Sequence, residues 1–226
     1  MEKIIKNDAG KILLNQDNKI LKTRPFTETV LQYGLSFLGS AADHAYLTVV
    51  NGLVSEAYDI RGNGNKMIQN TILNRPQLIG NYLNCVDIKK LTMSNASAKS
   101  MFIVISGIST NNSDLYGIGY GEGGSAYNWI TLGKQYNITQ YSHCNAGINQ
   151  KIFYANLSKG LTSPVGYKIL HTLNDPLIVN TIISVGSLYS ATSNCKIYEW
   201  GWYNRILNET EVLYNINALN TKYSIF

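Results

Sequence analysis

The chain has 226 residues and a mass of 25.1 kDa, enough to bury about 70% of its unfolded surface without a disulfide or metal staple. Charged residues are only 15% of it, while Tyr (16) and Gly (19) are plentiful, which excludes a coiled coil, a collagen-like rod and a disulfide scaffold. Nineteen basic against 14 acidic residues give +5, and part of the excess lies at Lys3, Lys6, Lys11, Lys19, Lys22 and Arg24. No aromatic is interleaved with those cations as a base-stacking platform, so no nucleic-acid partner is expected. No apolar run approaches the ~18 residues of a membrane span, and residues 1–8 have no apolar core of a signal peptide. No membrane partner is expected. Cys85, Cys144 and Cys195 are odd in number and far apart, which predicts buried thiols in a chain made in a reducing cytoplasm.

In chain order, the first feature is an echo: Asn7-Asp8-Ala9-Gly10-Lys11-Ile12-Leu13 is followed by Asn15-Gln16-Asp17-Asn18-Lys19-Ile20-Leu21. Each copy is a turn-forming polar group followed by a β-favouring run. Two such units can pair as a hairpin, but a lone hairpin is marginal in water and needs something to lean on. Residues 1–25 therefore read as an arm that docks through Ile12, Leu13, Ile20 and Leu21 on a partner, the alternative being its own body, with Pro25 marking the passage to a body over 26–226.

The body is a succession of short apolar runs broken by Gly, Asn and Ser. Residues 46–50, 101–105, 152–154, 181–185 and 195–203 read as strands. The run Ser100-Met101-Phe102-Ile103-Val104-Ile105-Ser106 is too short for a helix and too continuously apolar for an exposed strand, so it predicts the sheet core. Turn clusters are expected at 61–65, 109–114 and 117–124. One helix is expected over about 209–219: Asn208 is a good N-cap, Glu211 stands three residues on, and Val212, Leu213, Ile216 and Leu219 form the apolar stripe. The sum predicts an all-β, two-sheet antiparallel β-sandwich with a short C-terminal helix as an edge lid and an N-terminal arm.

Three stretches resemble the concanavalin A-like lectin/glucanase superfamily in its laminin-G-like, jelly-roll branch. Asp59-Ile60-Arg61-Gly62-Asn63-Gly64-Asn65 is similar to that family's Asp-x-x-Gly-Asn-Gly-Asn turn, with Arg61 where Ser is commoner. Arg75-Pro76-Gln77-Leu78 stands where the family often has a short Arg-Pro segment before a strand. Lys196 to Asn208, with Tyr203-Asn204-Arg205-Ile206-Leu207, resembles the last core strand and the turn into the terminal helix; the closing Asn220-Thr221-Lys222-Tyr223 also fits. The resemblance covers residues 40–226 and implies the same sandwich.

The chemistry is sparse. Glycoside hydrolysis needs two carboxylates flanking the bond, and the Glu-x-Asp-x-x-Glu run of the superfamily's glucanases is absent, so no enzyme and no catalytic residue are expected. Glu199 can be read as a catalytic carboxylate or as a structural acceptor for backbone donors at the last turn. The second is expected, since no second carboxylate stands near it in sequence and a bare carboxylate in an apolar strand is costly. His44, His143 and His171 are read as surface or half-buried. Gly-x-Ser-x-Gly is absent, and the glycine run 117–124 lacks the Lys-Ser/Thr of a phosphate loop. Its aromatics Tyr116, Tyr120, Tyr127 and Trp129 are candidates to stack on a sugar ring, the other reading being ordinary sheet packing. Asp59, Asn63 and Asp114 match no calcium-ligand motif; no metal and no cofactor are expected.

The function expected from these features is a non-enzymatic virion structural protein, a bacteriophage capsid decoration or fibre protein with a lectin-like fold. Its partners would be other capsid or fibre subunits, a second copy of itself in a homo-oligomer, and a host surface glycan. The alternative is a carbohydrate-binding module outside a virion.

Overall fold

The computed structural model describes residues 3–4, 22–23, 30–107, 116–120, 130–134, 141–145, 149–150, 153–159, 166–172, 178–188 and 193–226. The arm contributes β1 (Lys3–Ile4) and β2 (Lys22–Thr23), which pair antiparallel. Ile12, Leu13, Ile20 and Leu21 lie outside the described residues.

The body opens with β3 (Leu35–Ser40), β4 (Leu47–Val50), β5 (Leu53–Tyr58), β6 (Lys66–Ile68), β7 (Gln77–Ile79), β8 (Tyr82–Val86) and β9 (Lys90–Ala98). It continues with β10 (Ser100–Gly107), β11 (Tyr116–Tyr120), β12 (Ile130–Lys134), β13 (Tyr141–Asn145), β14 (Asn149–Gln150), β15 (Phe153–Ala155) and β16 (Ser158–Lys159). It closes with β17 (Gly166–Thr172), β18 (Ile178–Ser187), β19 (Asn194–Tyr203) and one helix, α1 (Glu209–Tyr223).

Among the described residues the 17 body strands form one hydrogen-bonded antiparallel sheet. One flank runs β16-β15-β17-β10-β19, with β19 then split between β3 and β8. The other runs β6-β9-β18-β11-β12-β13-β14. The two separate sheets expected from the strand count are not seen as separate. The ladder turns the corner through β8, β7 and β5, where a single residue pair, Leu53 with Gln77, joins β5 to β7. The result is a large sheet curled on itself.

Curling creates two cores. Inside the curl, Met101, Ile103 and Ile105 of β10 and Trp200 and Trp202 of β19 meet Leu91, Ile118, Leu132, Ile183 and Val185 of the other flank. On the outer face of the same strands, Phe102, Val104, Ile169 and Tyr203 pack under Val212, Ile216 and Leu219 of α1. β10 is therefore buried on both faces, which is why its sequence is continuously apolar rather than alternating.

The helix covers a sheet face and is not an edge lid. It also runs to Tyr223, four residues beyond the expected end. Its start follows the local sequence: the Asn208 side chain accepts from the Glu211 N–H at 3.0 Å, and Glu211 accepts from the Asn208 N–H at 2.9 Å, the reciprocal capping box. Its end closes on Ser224, in the left-handed region at φ +50°, whose N–H donates to the Asn220 carbonyl at 2.7 Å, and its last turn is anchored to the sheet through Glu199. The glycine run also departs from expectation, because Tyr116–Tyr120 is a strand. Gly117 stands opposite Gly133 on one side and Gly186 on the other, so the small residues serve close strand approach.

Candidate functional site

The turn over 59–65 is organised by one carboxylate. Asp59 is buried and accepts from the Arg61 N–H at 3.0 Å, from Arg61 Nε at 2.9 Å and from Asn63 Nδ2 at 2.7 Å. Gly62 and Gly64 take φ of +78° and +81°, the left-handed region that glycine enters without strain. The Arg61 guanidinium, which also donates to the Leu35 carbonyl, holds the position beside Asp59 where a cation would sit. Asp59 and Asn63 are thus committed to the turn, and Asp114 lies outside the described residues. Among the described residues no group of three or more His, Cys, Asp or Glu side chains is placed to hold a metal ion.

Of the sugar-stacking candidates, Tyr116 is fully buried within the inner core, where it packs the sheet and presents no face to a ligand. Tyr120 ends β11, and its side chain is not among those described. Tyr127 and Trp129 lie outside the described residues. His171 corrects its expected surface placement. It is fully buried, with its Nε2 3.0 Å from Asn215 Nδ2. Asn215 Nδ2 also donates to the Tyr203 hydroxyl at 2.9 Å, and its Oδ1 accepts from the Leu31 N–H at 2.9 Å. Tyr203 in turn donates to the Leu31 carbonyl at 3.0 Å. Burial holds the Tyr203 phenol well above its ordinary pKa, as expected of a phenol used as a neutral hydrogen-bonding group. This network ties helix, sheet and the segment before β3 together, and its role is architectural.

A different place gathers aromatic and charged side chains. β19 pairs with β8 over residues 194–197 and with β3 over residues 199–203, and at the changeover its register against β10 slips by one residue. Such a bulge bends a strand and re-aims its side chains. Tyr198 sits at the slip, and Glu199 follows. Beside them stand Tyr82, at the start of β8, and Tyr223, at the end of α1. The Tyr82 and Tyr198 rings are 5.5 Å apart and tilted by 51°; Tyr198 and Tyr223 are 6.1 Å apart and edge-on. All three tyrosines are half-exposed. Lys196 Nζ lies 4.8 Å from the centre of the Tyr82 ring, and Lys222 Nζ 5.3 Å from that of Tyr223. His44 Nε2 donates to the Gly80 carbonyl at 2.8 Å, fixing the approach to Tyr82.

Beneath the tyrosines Glu199 is fully buried. Its Oε2 accepts from the Tyr223 hydroxyl at 2.7 Å and from Lys222 Nζ. The acceptor role expected of Glu199 is thus observed, but its donors are side chains of the last helical turn rather than backbone groups. Its other oxygen, Oε1, has no hydrogen-bond partner among the described residues, and neither has Ser40 Oγ, the residue directly opposite in the register. The site is therefore a shallow aromatic surface with two ammonium groups at its rim and a carboxylate at its floor. Sequence reasoning missed this gathering because its members come from three distant elements. One signal was available: the inner-core residues Cys195 and Ile197 alternate, and Trp200 and Trp202 resume the alternation one position out of phase, a slip that marks a bulge at Tyr198-Glu199.

No protein-family model matches the chain, and no curated protein matches it. Among solved structures, the chain is similar to a Trypanosoma rangeli sialidase at 14% identity with a TM-score of 0.49, over 85% of this chain and 34% of that one. It is similar also to the Trypanosoma rangeli sialidase in complex with 2-keto-3-deoxy-D-glycero-D-galacto-2,3-difluoro-nononic acid, at 13% identity with a TM-score of 0.47, over 88% of this chain and 36% of that one. The chain spans about a third of the length of these proteins, and the likeness carries no part of the reading below.

Proposed function

We propose that the chain is a non-enzymatic carbohydrate-binding β-domain, and that the Tyr82–Tyr198–Tyr223 surface takes the sugar. The observation that supports this reading is the meeting of three half-exposed phenol rings at the strand changeover. A sugar's C–H face is apolar and its rim is hydroxylated, which suits a ring platform bordered by polar groups. Lys196 and Lys222 at the rim favour a glycan carrying an acidic group, because a carboxylate or sulfate would draw Lys196 off the Tyr82 ring into a charge-assisted hydrogen bond. As part of the same proposal, the two flanks of the curled sheet are the two layers of a concanavalin A-like sandwich, supported by the single core they share.

Glycan-array binding followed by titration calorimetry tests the assignment. Tyr82→Ala and Tyr198→Ala should each weaken binding at least tenfold while the fold survives. A wild-type protein that binds no glycan, or one whose binding survives both changes, overturns it. The non-enzymatic half has its own assay. If the wild type cleaves a glycan, and Glu199→Gln abolishes cleavage without loss of folding, the domain is a hydrolase. Placement in a virion and docking through Ile12, Leu13, Ile20 and Leu21 rest on the sequence pattern. Deleting residues 1–22 should leave a folded body that no longer assembles with its partner.

A further inference from the structure

Cys85 and Cys195 are 110 positions apart in the chain, yet the fold sets them directly opposite each other on neighbouring strands, β8 and β19. Both are fully buried, both belong to the inner core, and both are thiols. The Asp87 N–H donates to the Ser193 carbonyl at 2.9 Å. Antiparallel pairs alternate between bonded and non-bonded types, so Cys85 and Cys195, two steps further on, form a hydrogen-bonded pair with Cα atoms about 5.5 Å apart. That is the usual Cα separation of a disulfide, whereas their Cβ atoms must close by roughly 1 Å from the spacing of a flat pair. On the facing flank, a Cβ added to Gly186 of β18 would lie 2.5 Å from the Lys89 carbonyl oxygen, 3.0 Å from Lys90 Cα and 3.2 Å from Cys85 Sγ, so the bare glycine lets both the Lys89–Lys90 backbone and the sulfur approach β18.

We propose that Cys85 and Cys195 are a redox-active pair that closes to an intramolecular disulfide when the chain meets a small disulfide oxidant such as oxidised glutathione. The thiolate of one cysteine attacks a sulfur of the oxidant and expels one small thiol. The thiolate of the other then attacks the mixed disulfide and expels the second. Two protein thiols are oxidised, the oxidant's S–S bond is reduced to two thiols, and the two protons leave with them. Full burial requires that β8 open locally to admit the oxidant, so closure is slow without mild denaturant. The bond would staple β8 to β19 three residues from Tyr82 and three from Tyr198. It thereby locks the two strands that carry the platform, a consequence that rests on the sugar-binding reading, whereas the bond itself does not.

The experiment is incubation of the full chain with oxidised glutathione, with and without subdenaturing urea, followed by alkylation in denaturant and intact-mass and peptide analysis. The expected result is a linked peptide pair containing Cys85 and Cys195, two alkylation sites lost, and a thermal midpoint raised by several degrees and restored by dithiothreitol. Cys85→Ser and Cys195→Ser should each abolish both effects; should either variant not fold, the linked peptide in the wild type still decides. Stable glutathione adducts without a cross-link, or a cross-link that uses Cys144, overturn the proposal. Glycan affinity measured on the oxidised form separates the two readings, since a disulfide without glycan binding leaves the redox pair standing.

Discussion

The charge buried under the tyrosine platform yields a quantitative prediction. Glu199 is fully buried and its Oε2 accepts from both Lys222 and the Tyr223 hydroxyl, so three side chains clamp the last turn of α1 to the sheet. Hydrogen bonds to charged groups contribute about 1.5–3 kcal/mol each. The Lys222 side chain is 30% exposed but Glu199 is wholly buried, so Lys222 is the counter-charge of a carboxylate that water does not reach. Glu199→Gln keeps an oxygen for Tyr223 and frees Lys222 to swing into water, so the cost should be ~1–2 kcal/mol, or roughly 2–8 °C in the unfolding midpoint. Tyr223→Phe should cost at least as much, because it leaves the carboxylate with one donor in a buried setting. Lys222→Met should cost most, about 3 kcal/mol, because it leaves the buried carboxylate without a counter-charge. A double-mutant cycle in urea between positions 199 and 222 should give a coupling of about 2 kcal/mol, since Glu199→Gln removes the charge that Lys222 compensates. Amide exchange should show the loss first at residues 220–223. If Glu199→Gln is neutral, or Lys222→Met costs less than Glu199→Gln, the clamp does not work as described.

Further outcomes follow from individual contacts. Ser40→Ala should leave stability unchanged or raise it by up to about 1 kcal/mol in urea unfolding, because its buried hydroxyl has no partner among the described residues and losing an unsatisfied group costs nothing. Gly39→Ala should cost about 1–3 kcal/mol or more by the same assay, since a Cβ there would lie 2.5 Å from Trp200 Cζ2 and 2.7 Å from its Nε1 and Trp200 is fully buried. Asn215→Leu should cost about 3 kcal/mol, because it strands the Leu31 N–H that Asn215 Oδ1 satisfies. The acid limb of stability is assigned as well. Glu56 is held below the ordinary carboxylate pKa chiefly by the Lys66 hydrogen bond and then by Tyr58, and Glu211 by Arg205 and then the Asn208 N–H. Depressed folded values contribute stability above the unfolded pKa and lose it as pH falls through the folded one. The urea midpoint should therefore drop between pH 5 and pH 3, and Glu56→Gln with Glu211→Gln should flatten that drop.

What was legible in the sequence follows the range of the interactions. The capping box at Asn208 and Glu211, the turn at 61–65 and the core strand expected at 101–105 were readable because each is decided by neighbours within a few residues. The helix end was misjudged because Lys222 and Tyr223 hold it through Glu199, a contact 23 and 24 residues away. His171 was misjudged because its partner Asn215 is 44 residues distant and looks, in sequence, like a polar residue on the exposed side of a helix. The expected form with two separate sheets was altered by single residue pairs at β5–β7 and β6–β9, which no hydrophobic pattern encodes.

The tyrosine platform arises where β19 changes neighbours. A strand that keeps one neighbour along its whole length has every backbone group paired and alternating side chains assigned to two cores. β19 changes neighbours, and the changeover needs a bulge; the bulge frees one residue from that alternation. At that position the chain places Tyr198, with the Tyr198 carbonyl accepting the Ala41 N–H at 2.9 Å to close the gap left between β8 and β3. The ends of β3 and β8 and the last turn of α1 therefore converge there for topological reasons, and Tyr82 and Tyr223 arrive with them. A half-exposed aromatic surface over a buried carboxylate is not what packing alone would place at such a joint, since Leu or Val would cover it without the desolvation cost of Glu199. The cost is incurred where three strands and a helix meet, and that coincidence makes the changeover of β19, rather than the glycine-rich run at 117–124, the place to look for a ligand.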